Sequence, residues 1–338
     1  MSFSCREIEE LLDGRDDAWL YEKAYAVRKE HYGNEVFLRG IIENSNHCQN
    51  NCLYCGLRAD NRQARRYRLD IPDIAAAVRE IDAAGIKSIV LQGGQEDTPE
   101  NIGLLCKAVR LIKEMTNADI TMSHGDFSDE VYARFRDAGA DRYLLKVETM
   151  DDTLHAAVRP GQSAQKRIER LESLLSLGFQ AGSGFIAGMP GYTNKMLAAD
   201  MKRLSQMGLH MFSLTPFVPA AGTLWADEKS PSPDLVHRAC AIYRLMDPMV
   251  NMPVTSAMES LQPGSKKQGL QRGCNVVMHS FTPLKVRGDY SIYKGKNIAG
   301  DEASGQLQAL KDMVQSIGQF ITAGAPGRSR KETHAGHP

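Results

Sequence analysis

No excess of either charge marks this chain: lysine plus arginine and aspartate plus glutamate number 41 each among 338 residues. Without a basic field there is nothing to hold a nucleic-acid backbone, and without an acidic tail nothing to solvate a basic partner, so a polymer partner is not expected. Also lacking is any apolar run near the roughly 18 residues that a membrane span needs. The opening Met-Ser-Phe-Ser-Cys-Arg-Glu-Ile-Glu-Glu has no apolar stretch of the secretory kind. These absences lead us to expect a cytoplasmic protein with no membrane anchor. Cysteines number seven, an odd count without the spacing of a disulfide framework, which fits a reducing compartment.

Three of those cysteines are crowded into Asn46-His-Cys-Gln-Asn-Asn-Cys-Leu-Tyr-Cys-Gly-Leu-Arg58, as Cys48, Cys52 and Cys55 in the spacing C-x3-C-x2-C. Thiolates are soft ligands that suit iron-sulfur clusters and zinc. Structural zinc and most electron-transfer clusters are closed by four protein ligands. Here the fourth is missing: Cys5, Cys106, Cys240 and Cys274 are scattered singly, and His47 adjoins Cys48 too closely for one loop to wrap both around a metal. A 4Fe-4S cluster on three cysteines would keep one iron open for another ligand. Zinc binding or simple burial are the alternatives, although polar Asn, Gln and His neighbours speak against packing.

Along the chain, Ser4 with Glu7 forms a capping box that predicts a helix to about Leu12, and a second helix is expected from Asp17 to Tyr32. Glu35-Val-Phe-Leu-Arg-Gly-Ile-Ile-Glu43 reads as a buried strand running into the cysteine loop. A pattern then repeats in which a helix closed by glycine leads into a short apolar strand. Gly85, Gly139, Gly178, Gly208 and Gly273 precede strands at Ser88-Ile-Val-Leu, Tyr143-Leu-Leu, Ser183-Gly-Phe-Ile, Met211-Phe-Ser-Leu and Asn275-Val-Val-Met. With Asp119-Ile-Thr-Met, Pro253-Val-Thr-Ser and the first strand the count is eight. This predicts an α/β fold, a (β/α)8 TIM-type barrel over 35–283, with active-site residues at the C-terminal strand ends. A doubly wound open sheet is the alternative. Residues 1–34 form an N-terminal helical cap and 284–323 a C-terminal extension with a last helix near Ala303 to Ile317. The tail from Gly324 to Pro338 is expected to be disordered.

Polar residues gather at the predicted strand ends. Gly93 and Gly94 either allow a ligand close to backbone carbonyls or simply make a turn. Lys146 and Glu148, two apart, share the interior face of a strand and either pair with each other or face a ligand. Arg167, in a helix capped by Ser163, is a carboxylate clamp or a surface ion pair. Asp126, Thr255, Ser256 and Glu259 are candidates to line a substrate pocket, whereas His124 and His279 read better as hydrogen-bonded scaffolding. Gly182 to Gly188 reads as close packing, and Cys106 and Cys240 as core.

The cysteine spacing, with Tyr54 just before the third cysteine, resembles the radical S-adenosylmethionine superfamily, in which the open iron chelates the amino and carboxylate groups of S-adenosylmethionine. The resemblance implies Cys48, Cys52 and Cys55 as cluster ligands, with Tyr54, Gly93, Gly94, Glu96, Glu148 and Arg167 contacting S-adenosylmethionine. Gln95 interrupts the Gly-Gly-Glu-like element, Arg167 would take the methionine carboxylate, and Glu148 the sugar or amine. Longer stretches are more specific. Leu38-Arg-Gly-Ile-Ile-Glu, Cys48-Gln-Asn-Asn-Cys-Leu-Tyr-Cys-Gly-Leu-Arg-Ala-Asp-Asn61, Arg66-Tyr-Arg-Leu-Asp, Ala140-Asp-Arg-Tyr-Leu-Leu, Phe217-Val-Pro and Asn275-Val-Val-Met resemble the FeFe-hydrogenase maturase HydE family, a branch of the biotin-synthase and methylornithine-synthase group.

That resemblance, from about Glu35 to Lys296, implies a barrel enzyme in which a 5'-deoxyadenosyl radical acts on a small sulfur-bearing iron synthon. Ferredoxin or flavodoxin would supply electrons, and other hydrogenase maturation proteins would work beside it. The chain departs from the family at Lys146 (for Arg), Ser123-His-Gly-Asp126 (for a Ser-Leu-Gly-Glu-like element) and Glu259 (for a small residue). Arg159-Pro-Gly-Gln-Ser and Arg244-Leu-Met also resemble methylornithine synthase, so radical modification of an amino acid is the alternative, and a non-enzymatic iron-sulfur scaffold the third reading. Lys146, Thr255 and Ser256, with Arg39 and Tyr293, suit an anionic synthon, while Asp126 and Glu259 suit an amine. No cysteine follows Cys274, so no auxiliary cluster is expected.

Overall fold

The computed structural model describes residues 1–297, 303–322 and 327. Ser4 caps α1 (Cys5–Leu12) through the expected reciprocal box: its hydroxyl accepts from the Glu7 N–H, and the Glu7 carboxylate accepts from the Ser4 N–H. After α2 (Asp17–Tyr32) comes β1 (Glu35–Ser45), buried along nearly its whole length, as a strand covered on both faces must be. The chain continues through α3 (Ile71–Ala83), β2 (Ser88–Gly93), α4 (Pro99–Met115), β3 (Asp119–Ser123), α5 (Asp129–Asp137), β4 (Arg142–Leu144), α6 (Asp152–Val158) and α7 (Ala164–Ser176). Then follow β5 (Gln180–Ser183), β6 (Ile186–Ala187), α8 (Asn194–Ser205), β7 (Met211–Phe212), β8 (Thr215–Pro216) and α9 (Pro233–Met246). The last described elements are α10 (Ser256–Leu261), α11 (Ser265–Gln271), β9 (Val276–Ser280), α12 (Leu284–Arg287), α13 (Ala303–Gln315) and β10 (Phe320–Ile321). Gly85 and Gly139 end α3 and α5 with φ of 72° and 111°, the conformation that suits glycine after a helix.

The strands pair in the order β9-β1-β2-β3-β4-β5-β7, every pair parallel. The remaining place between β7 and β9 is taken by Asn251 to Pro253, through single parallel bridges from Met211 to Asn251 and from Pro253 to Val276. The ring is thus the expected (β/α)8 barrel, with all C-terminal strand ends on one face. Helices cover the outside: Ile74, Val78 and Ile81 of α3 are buried, and a Cβ on Gly40 of β1 would lie 2.9 Å from Ile81. The helices α1 and α2 pack on α8 and α9.

Two expected strands come out differently. Pro253-Val-Thr-Ser makes only its isolated bridge, because Pro253 has no N–H and the Asn275 side chain replaces ladder bonds, accepting from Met252 N–H at 2.8 Å and donating to Asn251 Oδ1 at 2.8 Å. The strand placed at Ser183-Gly-Phe-Ile begins at Gln180 instead. There Gly182 admits β7 so closely that a Cβ would sit 2.5 Å from that of Met211, while Ile186–Ala187 pairs separately with Thr215–Pro216. At the opposite end of the barrel β10 pairs with the start of β1, and the Gly327 carbonyl accepts from Asn251 Nδ2 at 2.9 Å and from Arg142 Nη1 at 3.3 Å. Apart from Gly327, the expected disordered tail lies outside the described residues.

Candidate active site

The cysteine loop has no regular secondary structure, so its backbone groups must find partners elsewhere. Asn46 pins its start, donating from Nδ2 to the carbonyls of Arg65 (2.7 Å) and Asp289 (2.8 Å) and accepting on Oδ1 from Tyr67 N–H (2.7 Å). Arg66 donates to the carbonyls of Asn46 (2.6 Å), Leu57 (2.9 Å) and Arg58 (2.6 Å). Gln49 N–H reaches the Gln95 carbonyl at 2.8 Å, and Gly56 N–H the Ile292 carbonyl at 3.1 Å. Gly94 lies beneath the loop: a Cβ there would be 2.1 Å from the His47 carbonyl oxygen and 2.8 Å from Cys48 Cβ. The paired glycines therefore divide their work, Gly93 facing the cavity and Gly94 admitting the cysteine loop.

Cys52 is buried and Cys48 and Cys55 half-buried. Burial pushes the thiols of Cys48 and Cys55 up, and the other cysteines add to the shift. Among the described residues no three His, Cys, Asp or Glu groups are disposed to hold a single metal ion. Three soft donors gathered on one loop, over a glycine that no other residue can replace without displacing Cys48, are the donor chemistry that suits an iron-sulfur cluster.

A cavity of about 280 Å³ lies at the C-terminal strand ends, with Tyr54 and Cys55 in its wall. Gly93, Lys146, Glu148, Arg167, Thr255 and Ser256 line it, so the structure brings most of the predicted residues together. Lys146 and Glu148 form an ion pair at 3.2 Å, and Lys146 Nζ also donates to Thr215 Oγ1 at 2.8 Å. Burial lowers the Lys146 pKa and Glu148 opposes the shift. Glu148 has φ 67°, a left-handed conformation unusual away from glycine; such strain clusters at functional sites. Arg167 is 4% exposed; its Nε donates to the Lys146 carbonyl at 3.0 Å and its Nη1 lies 3.4 Å from Asp126 Oδ1. Burial would raise the Asp126 pKa, but Arg167 and Arg159 outweigh it and hold the carboxyl below its ordinary value.

Other predicted residues are engaged elsewhere. Glu96 pairs with Arg68 and does not line the cavity; the intervening Gln95 turns inward instead, accepting from Asn50 Nδ2 at 2.9 Å and donating to the Asp126 carbonyl at 2.7 Å. Glu259 faces a neighbouring cleft of about 590 Å³, and its carboxylate accepts the N–H groups of Gly264 and Lys266, both at 2.8 Å, at the start of α11. His124 is scaffolding: its ring shares a 2.7 Å hydrogen bond with Asn44 Oδ1, and burial pushes its pKa down to about 3.

At the cavity floor stands Arg39, whose Nε and Nη2 are buried without hydrogen-bond partners and whose Nη1 meets only Met211 Sδ at 3.2 Å. Thr255 Oγ1 is likewise buried and unpartnered. Sequence reasoning missed two features. Glu43 is fully buried, 3.1 Å from Lys296 Nζ, with Ser280 and Thr282 donating to it; the signal was a carboxylate following the apolar interior of a strand. Arg159, at the end of α6, donates from Nη1 to the Tyr54 hydroxyl at 2.7 Å, and no spacing rule links the two positions.

The Radical SAM superfamily model matches residues 42–204. The FeFe-hydrogenase maturase subunit HydE of Thermotoga maritima is 36% identical over 311 residues, 92% of this chain and 89% of that protein. The 3-methylornithine synthase of Methanosarcina barkeri is 26% identical over 265 residues, 78% of this chain and 75% of that protein. The crystal structure of methylornithine synthase (PylB) superposes with a TM-score of 0.84 at 23% identity, covering 95% of each chain, which shows the shared fold. Among the described residues no helix is long and apolar enough to cross a membrane. The chain therefore belongs to the radical S-adenosylmethionine superfamily, on the branch of the hydrogenase maturase subunit HydE, and is an enzyme that uses a 4Fe-4S cluster and S-adenosylmethionine.

Proposed function

We propose that this chain acts in maturation of the FeFe-hydrogenase cluster, on a small anionic, iron-bearing synthon held inside the barrel. In this reading Cys48, Cys52 and Cys55 hold the cluster, and Tyr54, Gly93, Glu148 and Arg167 seat S-adenosylmethionine across the cavity mouth, while Gly94 serves by admitting the cysteine loop. Glu96, paired with Arg68, drops out of that set. The cluster that these cysteines would hold would supply the one-electron reduction of the S-adenosylmethionine sulfonium that is the source of a 5'-deoxyadenosyl radical. Arg167 orients a carboxylate through its fork, and the Lys146–Glu148 pair presents a charged wall without net charge. The C-terminal segment closes the site from the side: Tyr290 accepts from Gln92 Nε2 at 3.0 Å, and Tyr293 shares a 2.7 Å hydrogen bond with Ser256, which helps exclude water.

The observation that carries this reading is Arg39. A buried guanidinium with two unpartnered nitrogens calls for an anion, and Thr255 offers a free hydroxyl in the same cavity. An amino-acid substrate would need, besides a cation, a carboxylate for its ammonium. Asp126 is occupied by Arg167 and Glu259 by backbone N–H groups outside the cavity, so both amine partners are withdrawn. Electrons would come from ferredoxin or flavodoxin, and the site of action would be the cytoplasm beside the other maturation proteins. The test is an anaerobic hydrogenase maturation mixture lacking its HydE subunit. Wild-type protein should restore hydrogen evolution and Cys52→Ala should not. Failure to restore it by a protein that loads iron and cleaves S-adenosylmethionine would remove the maturation reading and leave the radical chemistry standing.

A further inference from the structure

We propose that Arg159 is a positioning residue for the cysteine loop whose buried positive charge stabilises the electron received by the cluster there. The inference rests on the reading that Cys48, Cys52 and Cys55 hold that cluster. Arg159 ends α6, where an arginine would ordinarily reach for solvent, yet it is only 5% exposed. Its surroundings are tied to the residues that lie between the three cysteines. Nη1 donates to the Tyr54 hydroxyl at 2.7 Å, the neighbouring Val158 carbonyl accepts from Leu53 N–H at 2.9 Å, and Gln162 Nε2 donates to Asn50 Oδ1 at 3.2 Å.

What this guanidinium lacks is a carboxylate in contact, although Asp126 lies near enough to feel its charge. Lys146 is paired with Glu148 and Arg167 with Asp126, whereas among the described residues Arg159 forms no ion pair and its Nε is buried without a partner. Its partner Tyr54 is a phenol, which accepts the hydrogen bond without bringing a formal charge. The anion it faces is the cysteine loop. Each electron added there increases the local negative charge by one, and a fixed cation in a low-dielectric setting favours the reduced form. The step is electron transfer alone. One electron arrives from a low-potential donor, no bond forms or breaks, and no proton moves because the guanidinium is already charged.

The experiment is an electron-paramagnetic-resonance redox titration of the full-length reconstituted protein, with dithionite and mediators and without S-adenosylmethionine. Iron content and the reduced signal of the wild type test the cluster reading by themselves; a wild type that takes up no iron overturns both. At the potential where the wild type is half reduced, Arg159→Gln should show a reduced-to-oxidised ratio about tenfold lower, a midpoint about 59 mV more negative. Arg159→Lys keeps the charge without the fork and should stay within about threefold of the wild type. Tyr54→Phe, which removes the anchoring hydroxyl and leaves the charge, should also stay within about threefold, and decides the matter if Arg159→Gln fails to take up iron. A loaded Arg159→Gln at the wild-type midpoint, or a Lys or Phe variant shifted tenfold, overturns the electrostatic role.

Discussion

Arg39→Met should make the cluster-free protein more stable while removing its capacity to bind substrate. The guanidinium is 4% exposed, has two unpartnered nitrogens, and makes a single weak contact to a methionine sulfur. Burial drives its pKa well below the ordinary arginine value, and Arg142 beneath it adds repulsion. Replacing a buried ionic group by an apolar one of similar volume commonly stabilises by about 1–4 kcal/mol. For a 338-residue chain, unfolding entropy of about 2.1 cal/mol/K per residue converts this to a Tm rise of about 1–6 °C. Calorimetry of the cluster-free wild type and variant under one buffer measures it. Added anionic substrate should raise the wild-type Tm further by mass action and leave the variant unmoved. A variant that melts more than about 2 °C below the wild type would show that Arg39 has a structural partner, and the argument for an anionic ligand would fall.

Arg167→Ala should weaken S-adenosylmethionine binding by roughly ten- to hundredfold, the worth of one charge-assisted hydrogen bond, and calorimetric titration showing unchanged affinity would remove Arg167 from the site. Gly94→Ala should displace Cys48, since the new methyl would meet the His47 carbonyl at 2.1 Å; reconstitution should yield less iron per chain, whereas Gly103→Ala, in open space on α4, should load normally and gain about 0.5–1 kcal/mol. His124 is held neutral with a pKa of about 3, so between pH 6.5 and 3 the unfolded chain binds the additional proton. Its contribution is present above pH 6.5 and is lost as pH falls, amounting to about 2 kcal/mol between pH 7 and 5. His124→Gln should flatten urea-measured stability over that range by this amount, and an unchanged slope would contradict the assignment.

The barrel was legible because its signals are local: glycine stops, the Ser4–Glu7 box, and apolar runs of strand length. The strand at Pro253 was not, since its place in the ring depends on the Asn275 side chain, a partner twenty-two residues away that no periodicity announces. The candidate site divides in the same way. The cysteine spacing was readable as a ligand loop and Gly93-Gly94 as a ligand approach or a turn, but what approaches Gly94 is the cysteine loop; Lys146 and Glu148 share the cavity wall, though beyond the end of β4 at Leu144 rather than on a strand face. What could not be read was which charges cancel. Asp126 and Arg167 meet only when α7 packs beside the β3 end, and Glu259 turns to α11 because unpaired N–H groups there offer a nearer partner than the cavity. Arg39 carried its meaning in the absence of partners, which only packing reveals.

The most direct measurement asks whether a radical generated beside Cys48, Cys52 and Cys55 meets an anionic synthon or an amino acid. Purified reconstituted protein, with reductant and S-adenosylmethionine under anaerobic conditions, should form 5'-deoxyadenosine by mass spectrometry in proportion to added iron synthon, and show no response to lysine. Lysine-dependent 5'-deoxyadenosine with none from the synthon would contradict the account.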